Sequence, residues 1–225
     1  MPKEIYTFLI YDHLFTYLGG DILETINFLS FILFIIFILS YSIKLVILYK
    51  KYNINANLLG KGQKGKEIDG TEILVKITTF IWGATWFVES ISDNLIKVAF
   101  KDIFKSYFIS YIGIIITSIG LLIFILAMVS MKTSWRVGID KKTKSKLITQ
   151  GIYKYSRNPA FVGFDLMFLG LFLTYSNLLT LSILVINLLS IHRLILQEER
   201  HLQIMFHEEY KDYKNRTPRY LFFLR

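Results

Sequence analysis

Cysteine is absent from the 225 residues, and that absence closes several routes at once. The chain can form no disulfide, no thiolate metal site and no cysteine nucleophile. Proline is nearly as scarce, with three residues, so little in the sequence interrupts a helix. Charge is sparse as well: 19% of residues carry it, against 53% hydrophobic and 16% aromatic, and the mean hydropathy is +0.46. A water-soluble domain of this size rarely has that balance. Charge is missing altogether from residues 25–43, 106–131 and 166–191. Roughly 20 residues at 1.5 Å each cross about 30 Å of hydrocarbon. One such run suits a buried core helix; three together indicate a polytopic membrane protein. The first run is longer than a signal-peptide core and has no small-residue cleavage site behind it, so it is expected to stay as a helix.

What charge there is leans basic, +9 in total. Nucleic acid is one reading of such an excess. Basic residues beside membrane spans have a simpler cause in the positive-inside bias, so no nucleic-acid partner is expected. Span one is expected over residues 22–49, followed by the polar, glycine-rich loop "KKYNINANLLGKGQKGKEIDG". Span two needs residues 73–100, with Glu89 and Asp93 facing protein or the interface. Span three is 106–131, followed by the basic segment "KTSWRVGIDKKTKSKLITQGIYKYSR". Residues 159–191 would make a helix of about 50 Å, too long for one perpendicular crossing. The turn-forming "TYSN" at 174–177 divides it into a helical hairpin. An amphipathic helix over about 194–214 then returns to water.

The expected fold is therefore all-α: about five transmembrane helices, including a C-terminal helical hairpin, plus a cytoplasmic C-terminal helix. Residues 1–131 form an N-terminal set of three spans, and 132–225 a second region. Under that topology, 20 basic residues fall on the side of loops 50–71 and 132–157 and the tail, against Lys3, Lys97, Lys101 and Lys105 opposite. The asymmetry places the C-terminus in the cytoplasm and the protein in the cell membrane as a multi-pass protein.

Several motifs fail on context. Gly60, Gly62 and Gly65 spell G-x-G-x-x-G, but the dinucleotide-binding pattern needs a strand before it and a helix opening after it. Here "NINANLL" precedes and charged "KEIDG" follows, and a flexible loop is expected. His192, His201 and His207 stand nine and six residues apart, not the three or four that put two ligands on one helical face. Interfacial or solvated histidines and no metal are expected. Neither a Ser-His-Asp order nor a strand-turn-helix serine context is present.

The chemistry-bearing residues gather in the last third. "GIYKYSRNP" precedes the hairpin, "HRLILQEERHL" follows it and "FHEEYKDYKNRTPRY" closes the chain. A hairpin returns the first two segments to one membrane face. Arg157, Asn158, Arg193, Glu198 and Glu199 are thereby expected to converge on an interfacial pocket, with Glu198 on the face between Leu194 and Leu202. Snorkelling side chains and exposed ion pairs are the bland alternative.

These segments, "GIYKYSRNPAFVG", then R-x-x-x-x-EE-x-x-L, then "EEYKDYKNRTPRY", resemble the isoprenylcysteine carboxyl methyltransferase and phospholipid methyltransferase superfamily. Its pattern is G-P-Y-x-x-x-R-H-P-x-Y-x-G, paired glutamates and a Y-x-x-Y-x-x-x-x-x-R ending. The likeness covers about residues 135–220 and includes the lead-in "LITQG". In this chain Asn158 replaces the family His, Ile152 the Pro, Phe161 the second Tyr and His207 the Gly before E-x-Y. The resemblance implies an integral membrane methyltransferase using S-adenosylmethionine, with no Rossmann domain and the cofactor held between the hairpin's cytoplasmic ends and the C-terminal helix. Gln150, Gly151, Tyr153, Arg157, Asn158, Pro159, Glu198, Glu199, Tyr210 and Tyr213 would form the cofactor site. Glu198 or Glu199 suits the ribose diol, Arg157 or backbone near Tyr153 the methionine carboxylate, and the face of Tyr153 or Tyr210 the sulfonium. The catalytic residues implied are Arg193, gripping an acceptor carboxylate, and Glu198. The acceptor would be a lipid-like, amphiphilic or prenylated molecule reached from the bilayer, which makes the protein an O-methyltransferase. Two alternatives stay open: an NADPH-dependent membrane sterol or steroid reductase, which shares an R-x-P step and a Tyr-rich ending, and a non-catalytic membrane accessory protein.

Overall fold

The computed structural model describes residues 3–141 and 146–221, with side chains from residue 22 onward apart from those of 93 and 94. Six α-helices are present among the described residues: α1 (Lys3–Tyr52), α2 (Lys66–Ile91), a short α3 (Asp93–Lys97), α4 (Tyr107–Met131), α5 (Pro159–Thr174) and α6 (Leu178–Arg216). Among the described residues there are two isolated β-bridges and no strand. The all-α expectation holds, and three segments are long and apolar enough to cross a membrane: Ile22–Tyr52, Tyr107–Ser134 and Leu178–Arg216. Their surfaces agree. Leu39, Ile43 and Val46 point outward from α1 at 54%, 55% and 51% exposure, a continuous apolar face that water would not tolerate but lipid would. The protein is an integral membrane protein.

The helix boundaries differ from the expectation in three places. The first span begins at Ile22 as expected, but the helix that carries it starts earlier, since α1 is helical from Lys3. The second starts earlier and stops sooner, because Ser92 turns extended after Ile91 and α3 is a separate short piece. α2, with its charged first turn, and the 16-residue α5 fall short of the length and apolarity of a lone span. Third, the hairpin's return arm and the C-terminal helix are one 39-residue helix. No proline or glycine lies between Leu178 and Arg216, so the backbone has no reason to break where the polarity changes. The uncharged part of α6 ends at Ile191, and the remainder runs beyond the apolar layer. One kink is present, at His207, whose φ is 44°. Of the two span-two carboxylates, Glu89 is buried against protein and takes a 2.7 Å bond from Asn177 Nδ2; the side chain of Asp93 lies outside the described residues.

Neighbouring helices run antiparallel. Phe37 meets Trp82 and Phe34 meets Trp86 between α1 and α2, while Thr71 meets Gln197 and Glu89 meets Asn177 between α2 and α6. The tightest contact joins α4 to α5 through two glycine pairs. A Cβ on Gly113 would stand 2.7 Å from Gly170 O, and one on Gly163 would stand 2.7 Å from Gly120 O. Small residues let membrane helices approach this closely and gain dispersion contact. The turn expected at 174–177 is observed, and α6 opens with a capping box between Asn177 and Thr180. Ile103 N donates to Ser176 O at that end. The opposite end gathers the loop after α1, the segment after α4, the start of α5 and the polar length of α6.

Candidate active site

The site is built around the paired glutamates, which the fold treats very differently. Glu199 is buried and takes two guanidinium forks. Arg157 donates through Nε and Nη2 to Oε1 at 3.1 and 2.9 Å, and Arg219 through Nε and Nη2 to Oε2 at 3.1 and 2.9 Å. Asn158 Nδ2 adds a third donor to Oε1 at 3.1 Å. Burial works against the charge of Glu199, but the Arg219 bonds and the Arg157 guanidinium outweigh it and hold its carboxyl below the usual range. The chain's last described residues are tied in by backbone groups: Arg157 N donates to Pro218 O at 2.9 Å, Arg157 Nη1 to Thr217 O at 2.7 Å and Ser156 Oγ to Arg219 O at 3.1 Å. Tyr213 OH donates to Tyr153 O at 2.7 Å. Together these contacts clasp the 151–158 segment, α6 and the tail.

Glu198 faces the other way, into a cavity of about 670 Å³. No described group bonds to its carboxylate. Burial first, then the negative charges of Glu72 and Glu199, push its carboxyl up to about 7. Tyr153, Arg157, Asn158 and Tyr213 line the same space, as do Trp135 to Asp140, Lys146 and His201. Arg136 Nε bonds Asp140 at 3.3 Å, and Asp140 O accepts from His201 Nε2 at 3.0 Å. A carbonyl can only accept, so Nε2 is the donor in this bond. The polar end continues into an apolar one lined by Phe34, Phe37 and Ile38 of α1 and by Phe80, Gly83 and Phe87 of α2. Lys76 of α2 lines the cavity too; no described carboxylate pairs with it or with Lys146.

The fold brings together most of the residues singled out in the sequence. Tyr153, Arg157, Asn158, Glu198 and Tyr213 line the cavity. Pro159 is buried at the first turn of α5, and Tyr210 is buried with its ring 6.1 Å from that of Tyr213. Gln150 and Gly151 lie at the exposed entry to the segment, with Gly151 against Ser130 of α4. Arg193 does not join them. It is exposed and stands 3.8 Å from Glu67, about 140° around the helix from Glu198 at 100° per residue. Of the five residues expected to converge on a pocket, Arg157, Asn158 and Glu198 line the cavity, Glu199 bonds the first two without lining it, and Arg193 stands apart.

Four participants were not singled out. Arg219 is the arginine that ends the Tyr-rich motif, a signal present in the sequence. His201, expected at an interface or in water, is half-buried on the cavity wall. Lys64 and Glu72 form a buried 2.7 Å pair, so the expected flexible loop is pinned. Among the described residues no cluster of three metal-ligating side chains occurs.

The described residues thus form a helical membrane protein in which a cavity joins a clasped polar end to an apolar end. Residues 108–209 match the family described as phospholipid methyltransferase. Two relatives from rice, Oryza sativa subsp. indica and subsp. japonica, each named probable protein-S-isoprenylcysteine O-methyltransferase, are 25% identical over 155 residues, covering 68% of this chain and 80% of theirs. Both likenesses point to the superfamily of isoprenylcysteine carboxyl and phospholipid methyltransferases, the first through residues 108–209 and the second through 68% of the chain.

Proposed function

We propose that the protein transfers a methyl group from S-adenosylmethionine to a carboxylate on a lipid-like or prenylated acceptor, at the cytoplasmic face of the membrane. The observation that carries this reading is the open carboxylate of Glu198, in a cavity continuous with an apolar groove. That end fits the methyl donor by chemistry. An unpartnered carboxylate suits a ribose diol, unpaired Lys146 suits a carboxylate, and the faces of Tyr153 and Trp135 suit a sulfonium. Arg157 and Asn158 would support the site rather than grip the ligand, because Glu199 and the tail already hold them. The bound donor supplies an activated methyl on a positively charged sulfur. The chain's own part is placement, where orientation alone can contribute roughly 7–11 kcal/mol. Lys76 would meet the acceptor's carboxylate while Phe80, Gly83 and Phe87 take its apolar part; all four line the cavity. An ionised acceptor needs no base.

Thermal unfolding of the detergent-purified protein tests the reading. S-adenosylmethionine and S-adenosylhomocysteine should each raise the midpoint in a concentration-dependent way, and NADPH should not. Stabilisation by NADPH alone would overturn it.

A further inference from the structure

The glycine-rich loop fails as a nucleotide motif, yet the fold uses it. Gly60, Gly62 and Gly65 all adopt positive φ, at 66°, 84° and 103°, which turns the loop back so that Lys64 reaches the first turns of α2. There Glu72, fully buried, accepts from Lys64 Nζ at 2.7 and 2.9 Å, from Gly60 N at 2.8 Å and from Ile139 N at 2.8 Å. Lys64 Nζ also donates to Leu58 O at 2.8 Å, and Lys141 Nζ caps Lys64 O at 2.6 Å. Gly138 has φ 90° and packs so closely that a Cβ there would lie 2.8 Å from the Leu59 backbone and 3.1 Å from Glu72 Oε1. Gly138, Ile139 and Asp140 are wall residues of the cavity that Glu198 and His201 also line, and Asp140 O accepts from His201 Nε2. Glu72 thus stands directly behind that wall, while Lys64 reaches it from the loop side.

We propose that Glu72 is a positioning residue of this site: it fixes the wall over residues 137–140 and sets a negative charge behind it, so that the cavity holds a cationic sulfonium more tightly than the neutral thioether left after methyl transfer. This rests on the methyl-donor reading above. An ion pair has little net charge but a large dipole, and here its negative end is the one bonded to the wall. In a site partly screened from water such a fixed charge acts more strongly than in solution. The other charged or titratable groups facing Glu198 are Glu199 and His201 on α6, Tyr210 farther along it, and Tyr153 and Arg157 from the segment before α5. Asp140, Arg136 and Lys146 face it from the segment after α4. Glu199 is held by two arginines and Arg136 by Asp140; Glu72 is held by Lys64, but its carboxylate is the end of that pair bonded to the wall, and that orientation biases the space. The raised carboxyl of Glu198 agrees with that bias.

The test removes both charges together, since Glu72→Gln alone would strand a buried ammonium. In Lys64→Met/Glu72→Gln, titration calorimetry should show the preference for S-adenosylmethionine over S-adenosylhomocysteine falling by about threefold or more. In the ligand-free variant, the carboxylic-acid infrared band that disappears in Glu198→Gln should titrate at lower pH than in the wild type. A merely structural role would weaken both ligands equally and leave the preference and the infrared midpoint unchanged; that result overturns the proposal. If neither ligand binds the wild type, the methyl-donor reading fails, and with it the ligand preference; the infrared midpoint then decides whether Glu72 acts on Glu198. Should the double variant not fold, Lys64→Gln carries the opposite expectation: an exposed negative end raises both the preference and the midpoint, and a fall in either overturns it.

Discussion

Two adjacent glutamates with one formal charge each do opposite work, because helical geometry points them about 100° apart. Glu199 is a structural anion. Replacing it with Gln leaves two guanidinium groups without their carboxylate, one of them buried, and such a loss costs about 3–5 kcal/mol. Its folded pKa is depressed, so the stability it contributes is present above the unfolded carboxylate range and is lost as pH falls through its folded value. Glu198 has the reverse sign. Its folded pKa is raised to about 7, so its contribution is present below the unfolded value and is lost as pH rises through 7. Glu198→Gln should therefore gain stability relative to wild type between pH 5 and pH 8 in the ligand-free protein, while Glu199→Gln should be less stable throughout. Thermal unfolding in detergent across that range checks both; parallel pH profiles for wild type and Glu198→Gln would contradict the assignment.

At the scale of elements, two junctions carry specific expectations. The α4–α5 interface depends on the absence of side chains at Gly113, Gly120, Gly163 and Gly170. In Gly163→Ala the new methyl would lie 2.7 Å from Gly120 O and 2.9 Å from Phe124 N, so the helices must separate. A loss of about 1–3 kcal/mol is expected, read as a lower unfolding midpoint. Ile115→Ala, at an outward position on α4, should be close to neutral by comparison. The kink in α6 has the opposite sign. His207 holds φ 44° and ψ −117°, a sparsely populated region outside the left-handed helical well that costs an L-residue roughly 1–3 kcal/mol and glycine much less. His207→Gly should thus stabilise the protein or leave it unchanged, and a clear fall in midpoint would show that the imidazole does something besides occupy the bend.

At the scale of the molecule, the absence of cysteine makes orientation directly measurable. The loop after α1 and the segment after α4 lie at the same end of the bundle as the clasp, and that end holds the basic excess. A single cysteine at Lys61 should react with a membrane-impermeant maleimide only after cells are opened, and one at Lys105 should react in intact cells. The reverse pattern would put the cavity mouth outside the cell. Membrane class, all-helical content, the hairpin turn at 174–177 and the motif-bearing last third were readable from the sequence, because hydropathy, turn chemistry and residue spacing act locally. The length of α6 was legible only in part: the change of polarity after Ile191 marks where the helix leaves the apolar layer, but not where its backbone bonds stop. The sequence by itself therefore determined where this chain is apolar, where it turns and which charged residues stand near one another along it. The tertiary structure alone decided which glutamate is consumed by Arg157 and Arg219 and which stays open, that Arg193 turns away to Glu67, and that a glycine loop distant in sequence places Lys64 and Glu72 behind the cavity wall. Those outcomes depend on which helix faces meet across the bundle, and contacts between residues far apart in the chain leave no periodic trace in it.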